Sequence, residues 1–203
     1  MTSRARLVLA LVVTTLAASV PAAAASAAPT TSTSTTSTPT TSLPMTSTPG
    51  AGAIVAPVVD RLLLADAVAR SKWVTHSAID DPARERAVID AAVAGASPAT
   101  ADRVRAVVRD QIEASKTVQR GLFAGWRAAP WTAPRADTDL SSTRRRISDL
   151  TTDIVARVVG HDPRDPACLA DVASATLRTV AERALTPLQT VASVQAERSL
   201  CAL

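Results

Sequence analysis

From about residue 54 onward, apolar positions recur every three or four residues, and no stretch sustains a two-residue alternation. That period is the mark of helices that bury one face, and it argues against half-buried strands. Ala, Leu and Arg, all strong helix formers, are abundant. Helix starts are clearly marked. Asp81-Pro82, Ser97-Pro98, Asp165-Pro166 and Thr186-Pro187 each place a capping side chain before a proline suited to the first helical position. Asp139 or Ser141 opens another helix. The pattern predicts helices near 54–76, 82–94, 98–128, 140–159, 166–184 and 187–202. The third is long, and Gly121 and Gly125 are placed to fray or bend its end. Residues 129–138 read as a proline-rich connection, and no internal repeat is evident. The expectation is an all-α single domain of about six helices over residues 53–203.

The pattern is different before residue 53. A basic start, Thr2 to Arg6, precedes an apolar run from Leu7 to Val20 and then small residues. Ala25-Ser26-Ala27 fits a signal-peptidase site, so residues 1–27 read as a signal peptide. The apolar run is short for a membrane span and lacks a stop-transfer pattern. The expected location is therefore secreted, periplasmic or cell-envelope space, with no membrane attachment after cleavage. Residues 28–52 are dominated by Thr, Ser, Pro and Ala and read as an extended, disordered linker. The chain has no Asn, which excludes N-linked glycosylation and leaves hydroxyl-linked sugars open.

Charge narrows the function classes. The formal net charge of +4 falls to +2 once Arg4 and Arg6 leave, because residues 1–50 hold no Asp or Glu. So small a basic excess, with no Tyr, one Phe and three Trp, does not suit nucleic acid. The two cysteines, Cys168 and Cys201, are expected to pair in an exported chain. Closing that loop contributes roughly 3.5–4 kcal/mol in the chain-entropy model.

Candidate chemistry begins with Arg61 and Lys72, eleven residues apart on one apolar-periodic segment. Eleven helical steps return a side chain to within roughly 20°, so both cations share a face, roughly 16 Å apart along the axis. Lysine is used only at positions 72 and 116, against twenty arginines. A compact ammonium at 72 therefore suggests that a point charge is wanted there rather than a planar fork. Ser115 and Gln119 are i and i+4 on the long helix and offer uncharged hydrogen bonds from one face. Asp81, Arg84 and Glu85 stand at the start of the second helix, where Asp81 can cap and Glu85 can complement the dipole. Arg144, Arg145 and Arg146 spread over 200° of helix, so at most one or two can face inward. Register favours Arg144 and leaves Arg145 as the alternative. His76 reads as a surface residue, and no nucleophile-and-base pair, zinc spacing or phosphate-binding glycine loop is present. No metal or cofactor is therefore expected. The set suits a small molecule with two carboxylates and a hydroxyl, Arg taking carboxylates in bidentate fashion and Lys a single oxygen.

In order along the chain, these residues resemble the exported all-helical chorismate mutases of the actinobacterial secreted type. The resemblance runs from about Val55 to Leu203. It is carried by Arg-Leu…Ala-Asp-x-Val-Ala…Lys-Trp at 61–73, Asp-x-x-Arg at 81–84 and Asp-Gln-Ile-x-Ala-Ser at 110–115. Phe-x-x-Trp at 123–126, Asp-Leu-Ser-x-x-Arg at 139–144 and the Cys168/Cys201 spacing complete it. It implies a chorismate mutase type II-like helical fold and the rearrangement of chorismate to prephenate, without covalent catalysis. It further implies that Arg61 and Arg144 clamp carboxylates and that Lys72 bonds the ether oxygen and a neighbouring carboxylate oxygen. Gln119 would donate to the same ether oxygen, Ser115 would bond a carboxylate, and Arg84 with Asp81 and Glu85 would line the hydroxyl end. Val88 departs from relatives that carry a polar residue one turn after the Arg84 position. A homodimer with each site built from one chain is common in that family. The alternative reading is an exported helical binding protein that keeps the fold without turnover.

Overall fold

A computed structural model describes residues 50–136 and 139–202. The expected signal peptide, 1–27, and nearly all of the expected linker, 28–52, lie outside the described residues. All six segments expected to be helical are helical, and no strand occurs among the described residues. The helices are α1 (Gly52–Leu63), α2 (Ala65–Val74), α3 (Pro82–Val93), α4 (Pro98–Ala128), α5 (Ser141–Gly160), α6 (Cys168–Glu182) and α7 (Pro187–Ala196). A single 3-10 turn, Pro130–Thr132, lies in the connection after α4.

The helix expected over 54–76 is divided at Leu64. No Pro or Gly marks the division. Leu64 N–H bonds Arg61 O, only three residues back, at 3.3 Å, which tightens the turn locally. Leu64 nevertheless stays in the right-handed helical region, with φ −71° and ψ −11°.

The core is organised around α1. Ile54, Val55, Val58, Val59 and Leu62 are all at most 1% exposed. A helix buried nearly all round must be enclosed by neighbours, and α1 packs on α4, α5, α6 and α7. Val104, Val107, Val108 and Val118 of α4 meet it, with Ile154 and Val158 of α5. α6 and α7 present the small residues Ala175, Ala192 and Ala196. Pro57 lies inside α1, so Ala53 O, four residues back, loses its helical donor. Arg157 of α5 supplies the missing bond through Nη1, at 3.3 Å.

Several local expectations are corrected. α4 runs unbroken through both glycines to Ala128. Gly121 serves a close approach instead: a Cβ there would stand 2.5 Å from Leu188 Cδ2 of α7. α6 begins at Cys168 rather than 166, because Asp165 Oδ1 accepts from Ala167 N at 2.9 Å in a turn that precedes the helix. Ser97 Oγ pairs with Thr100 Oγ1 at 3.0 Å and makes no cap to the backbone. Thr186 forms the full capping box with Gln189. α7 stops at Ala196, and the chain continues in three-residue turns, with Leu200 N bonding Glu197 O at 3.0 Å. Arg103 of α4 pins that segment, donating to Leu200 O at 3.1 Å and to His161 O at 2.8 Å. The expected disulfide joins Cys168 to Cys201 and ties the start of α6 to the segment after α7.

Two local features lead to predictions. Ala184 ends α6 with φ +48°, a left-handed conformation that costs an alanine roughly 1–2 kcal/mol. Ala184→Gly is expected to stabilise the fold by about 0.5–1 kcal/mol, read as a higher urea midpoint at unchanged slope. Glu197 is buried beneath α6, and Thr176 Oγ1 lies 2.5 Å from its Oε2 and 2.8 Å from Val172 O. One hydroxyl has one proton to donate. Val172 O can only accept, so both contacts are satisfied when Glu197 is protonated and donates to Thr176. Burial pushes the Glu197 carboxyl up to about 7. Its folded pKa lies above the unfolded value, so its contribution is full below about pH 4 and is lost as pH rises through about 7. Between pH 5 and 8 the protein should lose on the order of 2 kcal/mol, a loss Glu197→Gln should abolish in urea titrations at the two pH values.

Candidate active site

A cavity of about 780 Å³ opens between α1, α2, α3, α4 and α5. All eight residues expected at a small-molecule site line it: Arg61, Lys72, Asp81, Arg84, Glu85, Ser115, Gln119 and Arg144. The division at Leu64 leaves Arg61 and Lys72 at one cavity. Val68, Val88, Ile112 and Ile147 give it apolar walls. Of the three successive arginines on α5, only Arg144 reaches the lining.

Arg61 is the deepest cation, 7% exposed on the core helix. Its Nε donates to Thr151 Oγ1 at 3.0 Å and its Nη1 to Gln111 O at 3.4 Å. Burial lowers its pKa to about 10, so it stays charged at neutral pH. Thr151 is itself oriented by donating to Ile147 O at 2.7 Å. Gln111 is fixed by donating Nε2–H to Ala196 O at 2.9 Å. Neither supporting residue stood out in the sequence, because each acts through a contact between distant helices.

Lys72 Nζ donates to Ala78 O at 2.5 Å and to Ile79 O at 3.1 Å. These carbonyls belong to the segment between α2 and α3, so the ammonium is held by the chain that follows its own helix. Burial lowers the Lys72 pKa, Asp81 opposes this, Arg84 adds to it, and Asp80 and Glu85 oppose it. Among the described residues, none of Arg61, Lys72, Arg84 and Arg144 has a carboxylate oxygen within 4 Å. Four cations without carboxylate partners around one cavity make a site for an anion carrying more than one charge.

The first turn of α3 is tightly organised. Asp81 Oδ1 accepts from Arg84 N at 3.1 Å, and Glu85 Oε1 accepts from Asp81 N at 3.1 Å. Asp81 is thus a helix cap as well as a cavity residue. On α4, Gln119 donates Nε2–H to Ser115 Oγ at 3.1 Å, the expected one-turn pair. Gln119 is 4% exposed and its Oε1 has no hydrogen-bond partner among the described residues. Trp73 of α2 stacks edge-on against Phe123 and Trp126 near the end of α4, with centroids 5.1 and 5.4 Å apart. That cluster anchors the helix turn that carries Lys72.

A sequence-family model described as chorismate mutase type II matches residues 53–120. The chain is 35% identical over 155 residues to the secreted chorismate mutase of Mycolicibacterium smegmatis, covering 72% of this chain and 86% of that one. It is 30% identical over 155 residues to the secreted chorismate mutase of Mycobacterium tuberculosis, covering 73% and 76%. The chain belongs to the chorismate mutase family. Among solved structures, the chorismate mutase from Burkholderia phymatum superposes with a TM-score of 0.68 at 32% identity, covering 74% of this chain and 94% of that one. The chorismate mutase from Burkholderia thailandensis gives 0.64 at 32% identity, covering 74% and 98%.

Two charged residues of this mutase-family cavity, Asp80 and Lys116, escaped the sequence reading. Lys116 lies on the lining, 8% exposed, within 3.2 Å of carboxylate oxygens of Asp80, Glu85 and Glu113. Its rarity as one of two lysines was the available signal.

Proposed function

We propose that this cavity catalyses the rearrangement of chorismate to prephenate, and that the protein is an exported chorismate mutase. The observation that carries the reading is Arg61, a buried guanidinium with no carboxylate partner among the described residues, set in one lining with Lys72, Arg84 and Arg144. A buried cation without a counter-ion is costly unless a bound anion completes it. Chorismate carries two carboxylates, an ether oxygen and a hydroxyl.

The reaction is a pericyclic shift inside one molecule. The ether C–O bond breaks as a C–C bond forms, with no proton or electron exchanged with the protein. A catalyst has only to hold the compact conformer and stabilise negative charge growing on the ether oxygen. Arg61 and Arg144 clamp the carboxylates. Lys72 donates to the ether oxygen with a proton that its two carbonyl partners leave free. A half-turn of the Gln119 amide lets Ser115 donate to its oxygen and directs the NH₂ group to the same ether oxygen. Arg84, with Asp81 and Glu85, lines the hydroxyl end, where Val88 supplies an apolar wall. Donors aimed at charge that exists only in the transition state raise kcat rather than merely tightening binding.

The secreted relatives and the basic-apolar N-terminus support export, with residues 1–27 as signal peptide, 28–52 as linker and 53–203 as the catalytic domain. No helix among the described residues is long and apolar enough to cross a membrane.

Purified protein should consume chorismate, followed by its loss of absorbance, and Lys72→Ala should lower kcat by roughly two to three orders of magnitude. Equal activity of the two proteins would overturn the role given to Lys72, and a folded wild type without turnover would leave a binding protein. The kcat should stay nearly flat from pH 5 to 8, because Gln119 donates in every protonation state. Gln119→Glu should make kcat fall as pH rises, since only the protonated carboxyl can donate.

A further inference from the structure

The two lysines of this chain both line the cavity, and they have opposite surroundings. Among the described residues, Lys72 meets only backbone carbonyls, Ala78 O and Ile79 O. Lys116, among the same residues, meets only carboxylates: Asp80 at 3.2 Å, Glu85 at 3.0 Å and Glu113 at 2.6 Å. These acidic groups come from three places in the chain, namely the segment before α3, the first turn of α3, and α4 itself. Two of them, Asp80 and Glu85, also act on Lys72 electrostatically, as does Asp81. The same carboxylates could therefore pair with either lysine, and they pair with the one on α4.

We propose that Lys116 is a positioning residue that sequesters Asp80 and Glu85, so that Lys72 and Arg84 keep their charge for the substrate dianion. The proposal rests on the reading of the cavity as the chorismate site. Lys116 does two things through its partners. It neutralises acidic groups that would otherwise repel a dianion, and it holds the segment whose Ala78 and Ile79 carbonyls place the Lys72 ammonium. Burial alone would lower the Lys116 pKa. Its hydrogen bonds to Glu113, Glu85 and Asp80 outweigh that and hold it above the ordinary lysine range. It therefore stays charged throughout the pH range of any assay.

Removing the ammonium leaves Asp80, Glu85 and Glu113 crowded around an empty position. Asp80 keeps Arg120, at 2.7 Å. Glu85 keeps the Asp81 N–H, at 3.1 Å. The other charged groups facing the cluster are Lys72 from α2, and Asp81 and Arg84 at the start of α3. The released carboxylates repel one another and turn to Lys72 and Arg84.

The test is the affinity for prephenate, a dicarboxylate that the forward reaction does not consume, measured by calorimetry at pH 7.5. Lys116→Met should weaken binding at least tenfold, and adding Asp80→Asn and Glu113→Gln, which removes two of the released charges, should restore it to within about threefold of wild type. Lys116→Arg should bind like wild type. Wild-type affinity in Lys116→Met would overturn the proposal. So would an equal loss in Lys116→Met with and without the two amide substitutions, which is what a merely structural role predicts. Should Lys116→Met not fold, Lys116→Gln is put through the same comparison. A wild-type protein that neither binds prephenate nor turns over chorismate would sink the function itself, an outcome distinct from any difference among the variants.

Discussion

Everything at the cavity depends on a positive charge kept inside the core. Arg61 sits on the most enclosed helix of the fold, next to Leu62 at 1% exposure, and has no carboxylate partner among the described residues. An ion held this way loses hydration that fixed dipoles must replace. Thr151 and the Gln111 main-chain carbonyl do part of this, and Thr151 is locked by donating to Ile147 O. The lowered pKa of Arg61, about 10, records what burial costs. Arginine tolerates that environment because even the lowered value lies well above neutral pH.

The rest of the molecule holds that charge in place against the other cations. α1 is enclosed by four helices, so Arg61 has little freedom to swing toward solvent. The aromatic cluster of Trp73, Phe123 and Trp126 fixes the end of α2 on α4, and Lys72 is one residue from that anchor. The disulfide, the Arg103 bonds and the buried Glu197 secure the far end, where α6, α7 and the final turns meet. In this arrangement the disulfide and the Arg103 bonds lie away from the cavity, which holds four cations without carboxylate partners among the described residues. Such a separation is expected where a functional site costs stability that other parts must supply.

The helices were legible because each is amphipathic on its own. A three-to-four-residue period and a capping residue before a proline are local facts, and they located every helical segment. Two helix starts were reset locally, by the Asp165 turn ahead of α6 and by the pairing of Ser97 with Thr100, and elsewhere a tertiary contact overrode the cue. Gly121 looked like a break and is instead a notch for Leu188. The segment after Ala196 looked helical, and it turns early in a stretch held by Arg103 and by the bridge from Cys201 to Cys168. Pro57 inside α1 is tolerated because Arg157 reaches the carbonyl it strands.

The sequence by itself determined the helix content and the pairing of the two cysteines, and it singled out a lysine in an arginine-rich chain and an amide one turn from a serine, which line one cavity. Those are properties of residue type and spacing, which do not depend on what packs against them. The tertiary structure alone decided that Thr151 and Gln111 hold Arg61 and that Lys116 rather than Lys72 takes the carboxylates, and it fixed at the cavity the Arg144 that register had favoured. Each of those outcomes depends on which helices meet and at what rotation. Electrostatic energy depends on distances between residues far apart in the chain, so it becomes readable only after the helices have packed.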